Sequence, residues 1–484
     1  MAQKSVKIPT SQNLFAWRPS AYQQAVFEDV SKGQGHTVVV ARAGSGKTTT
    51  IVKALNCVPK GCSTLVVAFN KAIAEELKTK VPPTCDALTL HSFGFAAIRN
   101  ALGRIKVDVR KVFDLVANLV TDRRDRSLMS RVVGIAKGSL VDTPDDISEI
   151  LEAHSFEPLM DRDRFVGDVL WTLDQCRNRK LLDSIDYDDM IWLPLILGFP
   201  VAQYDRVFID ETQDLNPAQI DLALKACATG GRICAVGDDR QSIYGFRGAD
   251  RNAIPNLIER LHAKALPLSI TYRCPKAVVR LAQDIVPDFE AADTAFEGTV
   301  VEKTYVELLR NVEPGDFVLS RANAPLTRLF FELVARGTPV KIAGRDVGAA
   351  LVARIERSNA TSVSDLLDIT DKWQAKEHAR LAKKDPPGNT SYVDDMAECI
   401  HTIAFGTKSV EEAKGRIDGM FSDEIDDSER VILSTTHKAK GLERDVVWVL
   451  RSTYRKRKNL EEENLWYGAI TRAKRELYLI DRTP

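Results

Sequence analysis

Ala41-Arg42-Ala43-Gly44-Ser45-Gly46-Lys47-Thr48, with Thr49 next, follows the apolar run 37–40 and opens a stretch of helical character. Glycines let such a loop wrap its backbone N–H groups around phosphate oxygens. Lys47 then reaches the β and γ oxygens, and the Thr48 hydroxyl ligates Mg²⁺. Two departures stand out: Ala41 replaces the usual first glycine, and Arg42 is bulky for the interior of such a loop. The strand–loop–helix context makes a phosphate loop the better reading of the stretch.

Downstream, Val207-Phe208-Ile209-Asp210-Glu211 ends an apolar run in two acids. Carboxylates at a strand end place Asp210 in the Mg²⁺ shell and let Glu211 polarise an attacking water. Alone, the two acids would read as an ordinary solvated pair. With a phosphate loop upstream they complete a site for ATP hydrolysis.

Further strands are expected at 37–40, 64–68, 206–209, 232–236, 317–320, 446–450 and 476–480. Continuous apolar runs of this length suit parallel strands covered on both faces, so the fold class is α/β. The strands fall into two groups, which argues for two α/β domains. Residues 96–180 and 346–424 carry helical spacing and little strand character, and read as helical insertions. The second is broken by Asp385-Pro386-Pro387-Gly388-Asn389. No repeat of fixed period and no low-complexity tract is present.

The 484 residues hold 44% hydrophobic and 28% charged residues, a balance that excludes a disordered chain. Lys+Arg and Asp+Glu are both 67. Zero net charge argues mildly against a nucleic-acid partner, although a basic track along one groove is compatible with it. No apolar run is long enough to span a bilayer and no signal-peptide pattern opens the chain, so a soluble, cytoplasmic protein is expected. The eight cysteines contain no CxxC pair, and no structural metal is expected. Few residues follow Arg472, and no nuclease or accessory C-terminal domain is expected after it. Arg123-Arg124-Asp125-Arg126, Lys383-Lys384 and Arg455-Lys456-Arg457-Lys458, the last followed by Glu461-Glu462-Glu463, read as solvated charge runs.

At Asp210-Glu211-Thr212-Gln213-Asp214 the chain resembles the UvrD/Rep/PcrA-type helicases of superfamily 1, and the other motifs of that family appear in order over most of the chain, the two insertions excepted. Pro19-Ser20-Ala21-Tyr22-Gln23-Gln24-Ala25-Val26 resembles the adenine-reading motif, with Gln23 as the reader and Gln24 as the alternative. Ala68-Phe69-Asn70-Lys71-Ala72 and Thr89-Leu90-His91-Ser92-Phe93 resemble the two DNA-contacting motifs of the first motor domain. This implies Phe69, Asn70, His91 and Phe93 as contacts, with His91 and Phe93 equally readable as core residues. Asp186-Tyr187-Asp188-Asp189-Met190 resembles a further family segment that leads back into the motor core.

Val236-Gly237-Asp238-Asp239-Arg240-Gln241-Ser242-Ile243-Tyr244-Gly245-Phe246-Arg247-Gly248-Ala249-Asp250 is the most specific match. The resemblance implies Gln241 as γ-phosphate sensor, Tyr244 and Phe246 as base-stacking residues, and Arg247 as a further phosphate or coupling arginine. Phe246 stands where the family usually has tryptophan. Thr271-Tyr272-Arg273-Cys274-Pro275 implies Tyr272 packing on the base and Arg273 on the γ-phosphate. Ser434-Thr435-Thr436-His437-Lys438-Ala439-Lys440-Gly441-Leu442-Glu443 implies Glu443 near the ribose, Gly441 among the nucleotide-binding residues and His437 near DNA. Trp466-Tyr467-Gly468-Ala469-Ile470-Thr471-Arg472-Ala473-Lys474 implies Arg472 as a second arginine finger.

The resemblance implies two RecA-like parallel-sheet motor domains of the P-loop NTPase class. The first covers 1–95 and 181–264, with helical insertion 96–180. The second covers 265–345 and 425–484, with a small helical insertion 346–424. It also implies a monomeric ATP- and Mg²⁺-dependent DNA helicase that moves 3′→5′ on single-stranded DNA and acts at forks. Lys47 and the two arginines would lie on different domains, so ATP would close a cleft and hydrolysis release it. The alternative is an accessory translocase working with a protein partner and without processive unwinding. Base stacking does not distinguish RNA from DNA as the track.

Overall fold

The computed structural model of the protein describes residues 18–68, 71–179, 182–243, 252–343, 347–382, 391–421, 426–454 and 460–481. Contacts divide the chain into two compact units. The first is Met1–Ala41, Lys47–Gly237 and Ala253–Leu268; the second is Arg42–Gly46, Asp238–Asn252 and Ser269–Pro484.

The first unit contains β1 (Thr37–Ala41), β2 (Thr64–Ala68), β3 (Cys85–Thr89), β4 (Lys106–Val107), β5 (Ser184–Ile185), β6 (Tyr204–Ile209), β7 (Cys227–Gly237) and β8 (Lys264–Leu268). Its main sheet runs β3-β2-β6-β7-β1-β8. Every pairing in it is parallel. Successive side chains of a strand point to opposite faces, and here both faces are buried. Val38, Leu65, Val67, Val207 and Ile209 join one apolar cluster. Their neighbours Val39, Val66, Ala68 and Phe208 join the other. That split is why these strands read as unbroken apolar runs. Burying a side chain such as Phe208 contributes about 1.5–3 kcal/mol.

Between β3 and β6 the chain is largely helical: Leu90–Leu102, Lys111–Ala117, Arg123–Ser139, Pro144–Ala153, Arg162–Arg177 and Tyr187–Ile196. Residues Met129, Val132, Phe165, Val169 and Leu173 give this region a core of its own. Helices Leu90–Leu102 and Tyr187–Ile196 approach so closely that a Cβ on Gly94 would lie 1.9 Å from the Met190 carbonyl oxygen. Asp186 caps the second of these helices, accepting from the Asp189 N–H at 2.7 Å. Both acids also hold the fully buried Lys137, each at 2.8 Å. Lys111 adds a third ion pair, 2.6 Å from Asp189. Burial opposes the Lys137 charge, yet Asp189 and its other neighbours outweigh it and hold the amine protonated.

The second unit contains β9 (Ile270–Thr271), β10 (Glu290–Ala291), β11 (Thr299–Lys303), β12 (Phe317–Ser320), β13 (Val340–Ile342), β14 (Val431–Thr435), β15 (Arg444–Leu450) and β16 (Ala473–Ile480). Its main sheet runs β11-β16-β15-β12-β14-β13. It too is parallel throughout. The same alternation recurs: Val318, Leu433, Trp448 and Leu450 enter one cluster. Phe317, Leu319, Ile432, Val447 and Val449 enter the other. Helices Val347–Ser358, Val363–Ala382, Ser391–Ala404 and Val410–Phe421 lie between β13 and β14 in sequence.

All seven strands expected from sequence form, and β1, β6, β7, β15 and β16 extend beyond the expected spans. Sequence reasoning passed over β3, β8, β11, β13 and β14 of the two main sheets, and the two-residue strands β4, β5, β9 and β10. β8 carries Pro267, which a central strand would reject; its recorded partner is β1 alone, and a sheet edge tolerates proline. Among the described residues no helix is long and apolar enough to cross a membrane.

Candidate active site

In the first unit, helix Lys47–Leu55 begins at the phosphate-loop lysine, and β6 ends at Ile209, one residue before the acid pair. A helix N-terminus favours anions, because its first amides are unpaired and its dipole is positive there. Lys47 Nζ lies 3.6 Å from Glu211 Oε1. The Thr48 hydroxyl lies 3.4 Å from Asp210 Oδ2. Asp210 also accepts from the Glu211 N–H at 2.9 Å, and Gln213 Nε2 donates to Glu211 Oε2 at 2.5 Å. Burial, and then the adjacent Glu211 charge, push the Asp210 carboxyl above its usual range. Glu211 adopts φ 50° and ψ 42°, left-handed backbone that a residue with a Cβ rarely takes. Thr48 and Asp210 supply hard oxygen donors side by side, the donor set that Mg²⁺ prefers.

Arg42–Gly46 of the loop belong to the second unit. Gly44 holds φ 69°, and a Cβ there would meet Arg273 Cβ at 2.5 Å and Thr271 Oγ1 at 2.6 Å. Its carbonyl accepts from the Tyr272 N–H at 2.9 Å. The Ala43 N–H donates to the Tyr467 hydroxyl at 2.9 Å. Ser45 Oγ is buried and makes no hydrogen bond, a state that a phosphate oxygen would relieve. Arg42 turns onto carboxylates: Nη2 and Nε contact Asp288 at 2.9 and 3.0 Å, and Nη1 lies 2.5 Å from Asp239.

Gln241 and Arg472, both in the second unit, meet: Arg472 Nη2 donates to Gln241 Oε1 at 3.3 Å. Arg472 is 3% exposed and also bonds the Gly468 and Leu442 carbonyls. Lys440 Nζ donates to the Gln241 carbonyl at 2.9 Å. Arg273 is paired with Glu443 through its Nε. Sequence reasoning had placed those two on the γ-phosphate and the ribose.

Other expected residues fall as follows. Gln23 is 1% exposed, and its amide is committed: Oε1 accepts from the Ser20 N–H at 3.0 Å and Nε2 donates to Thr50 at 3.1 Å. Gln24 is exposed. Thr49 is exposed, Gly441 is exposed with φ 83°, and His437 is half-buried. Tyr272 is half exposed. Phe93 is 4% exposed and packs in the core, while His91 is half-buried. Phe69, Asn70, Tyr244, Phe246 and Arg247 lie outside the described residues. Tyr187, to which sequence reasoning gave no role of its own, is 56% exposed, and its ring stands edge-on to His91 at 6.3 Å. Its signal was an aromatic immediately after the Asp186 cap in a motif already singled out.

A phosphate loop after β1, an acid pair after β6 and two parallel α/β units define a P-loop NTPase fold of the two-domain RecA-like kind. The UvrD/REP helicase N-terminal domain family matches residues 22–262, and the UvrD-like helicase C-terminal domain family matches 409–483. The chain belongs to the UvrD/PcrA-type superfamily 1 helicases. The ATP-dependent DNA helicase PcrA of Bacillus subtilis is 26% identical, over 54% of this chain and 38% of that protein. F-box DNA helicase protein 1 of Schizosaccharomyces pombe is 26% identical, over 92% of this chain and 55% of that one. F-box DNA helicase 1 of Gallus gallus is 24% identical, over 88% and 44%. The chain thus spans about half the length, or less, of these curated relatives.

Proposed function

We propose that this protein is an ATP-driven motor on single-stranded DNA that separates duplex strands in the 3′→5′ direction. The observation that carries the proposal is the gathering of Lys47, Thr48, Asp210 and Glu211 at the start of one helix and the end of β6. Lys47 binds the β and γ oxygens of ATP. Thr48 and Asp210 are the residues that would hold Mg²⁺, which when bound neutralises phosphate charge. Glu211 accepts a proton from the attacking water, and its contact with Gln213 orients the carboxylate for that task.

Ala43, Gly44, Ser45, Gly46 and Thr49 complete the phosphate-side contacts. Gln241 senses the γ-phosphate, and Arg472 and Arg273 stabilise the transferring group, Arg273 after leaving Glu443. Arg247 adds a further positive charge. Tyr272 offers an exposed ring to the adenine, Gly441 and Glu443 lie toward the ribose, and an adenine contact falls to Gln23 or Gln24. For Gln23 that requires release from Ser20 and Thr50.

On the DNA side, His91 with Tyr187 presents an aromatic edge for bases. Phe69, Asn70, Tyr244, Phe246 and His437 extend that track by their motifs. Phe93, buried, is omitted. The names of the relatives, all DNA helicases, support DNA rather than RNA as the track.

The test is ATP hydrolysis by purified protein with and without single-stranded DNA, with Lys47→Ala as control. The account expects stimulation by DNA and loss of hydrolysis in the variant. Hydrolysis indifferent to both DNA and Lys47 would sink the motor reading.

A further inference from the structure

Arg42 is an anomaly in a phosphate-binding loop, because its guanidinium is turned onto carboxylates. It is 8% exposed, and its donors are spent on three carboxylates of the second unit. Asp288 takes Nε and Nη2, and Nη1 lies 2.5 Å from Asp239 and 3.5 Å from Asp238. Asp238 is fully buried. A buried carboxylate is costly without a counter-charge, and Arg42 supplies one.

Asp238 in turn controls Gln241. Its Oδ2 accepts from Gln241 Nε2 at 2.8 Å, and its backbone carbonyl accepts from the Gln241 N–H at 2.9 Å. An ionised carboxylate only accepts hydrogen bonds and a guanidinium only donates them. With Asp238 on one side and Arg472 on the other, the Gln241 amide has a single satisfying orientation: nitrogen to Asp238, oxygen to Arg472. The flip state of this glutamine is therefore set by Asp238 remaining a charged acceptor.

We propose that Arg42 is a positioning residue: by holding Asp238 and Asp239 it sets the orientation of the Gln241 amide, and with it the contact of Gln241 with Arg472. The proposal rests on the ATPase reading above and adds a role for a residue of the loop itself. A lysine at this position carries one point charge and cannot bridge Asp288 and Asp239 as a planar fork does.

The experiment is a double-mutant cycle in single-stranded-DNA-stimulated ATP hydrolysis with Arg42→Gln, Gln241→Ala and the pair. Arg42→Gln is expected to lower kcat about tenfold, the size of a lost charged hydrogen bond, with KM for ATP within about threefold. The pair is expected to be no slower than Gln241→Ala alone, because the two act through one arrangement. Arg42→Lys recovers part of kcat. Multiplying losses in the pair, or a change confined to KM, overturns the proposal. Thermal melts report whether Arg42→Gln folds. If it does not, the same cycle with Asp288→Asn, which loosens the anchor of Arg42, decides by the same criterion. A wild type that hydrolyses ATP without DNA stimulation contradicts the motor reading and leaves the cycle to be read on basal turnover.

Discussion

At the scale of single residues, Glu211 combines an acid beside Lys47 with left-handed backbone. Such backbone costs on the order of 1–3 kcal/mol for a residue with a Cβ, and survives only where the surroundings impose it. Here the Asp210 carboxylate, accepting from the Glu211 N–H, and the Gln213 amide fix the turn and the carboxylate together. Glu211→Gln keeps size and shape but removes the proton acceptor. It is expected to lower kcat by roughly 10²–10⁴-fold while nucleotide binding, followed with a fluorescent ATP analogue, stays within a few-fold. Retention of more than a tenth of wild-type turnover would assign the water to another group.

The grouping of residues was legible in the sequence where spacing along the chain carries it: the loop residues Lys47 and Thr48 do lie beside the acid pair. It was hidden where a side chain is claimed from afar. Gln23 is taken by Thr50, Arg273 by Glu443 and Arg42 by Asp288. Phe93 sits within a DNA-contacting motif, yet the turn of its helix sends it to the core.

At the scale of elements, seven strands were legible because both faces of each sheet are covered, which leaves an apolar run with no alternation to blur it. β3, read from Cys85-Asp86-Ala87-Leu88-Thr89, has one recorded partner strand and carries polar side chains, so its signal was lost. The helical region between β3 and β6 depends on a charge cluster that no local pattern announces. Lys137 on helix Arg123–Ser139 reaches Asp186 and Asp189 at the start of helix Tyr187–Ile196. Removing one member of a buried ion pair leaves a charge stranded in a poor solvent, which costs about 3–5 kcal/mol. Lys137→Met is therefore expected to lower the unfolding free energy of the protein by about that amount, read by urea denaturation. A loss below about 1 kcal/mol would show that Lys111 alone satisfies the acids.

At the scale of the whole molecule, two parallel-sheet units carry a balanced charge, 67 basic against 67 acidic residues. A motor on DNA with no net positive charge must concentrate its basic groups locally, and composition cannot display that. The motif order along the chain, by contrast, was enough to place it in its family, since each motif ties one chemical task to one loop. Direction of travel and the power to unwind are properties of the whole protein. They are best tested by strand separation on duplexes bearing a 3′ tail, a 5′ tail or no tail, with ATP and with Lys47→Ala as control. The account predicts unwinding of the 3′-tailed duplex alone, abolished in the variant. Unwinding from the 5′ tail would contradict the assigned direction, and DNA-stimulated hydrolysis with no separation on any substrate would contradict the helicase claim and favour a translocase that needs a partner.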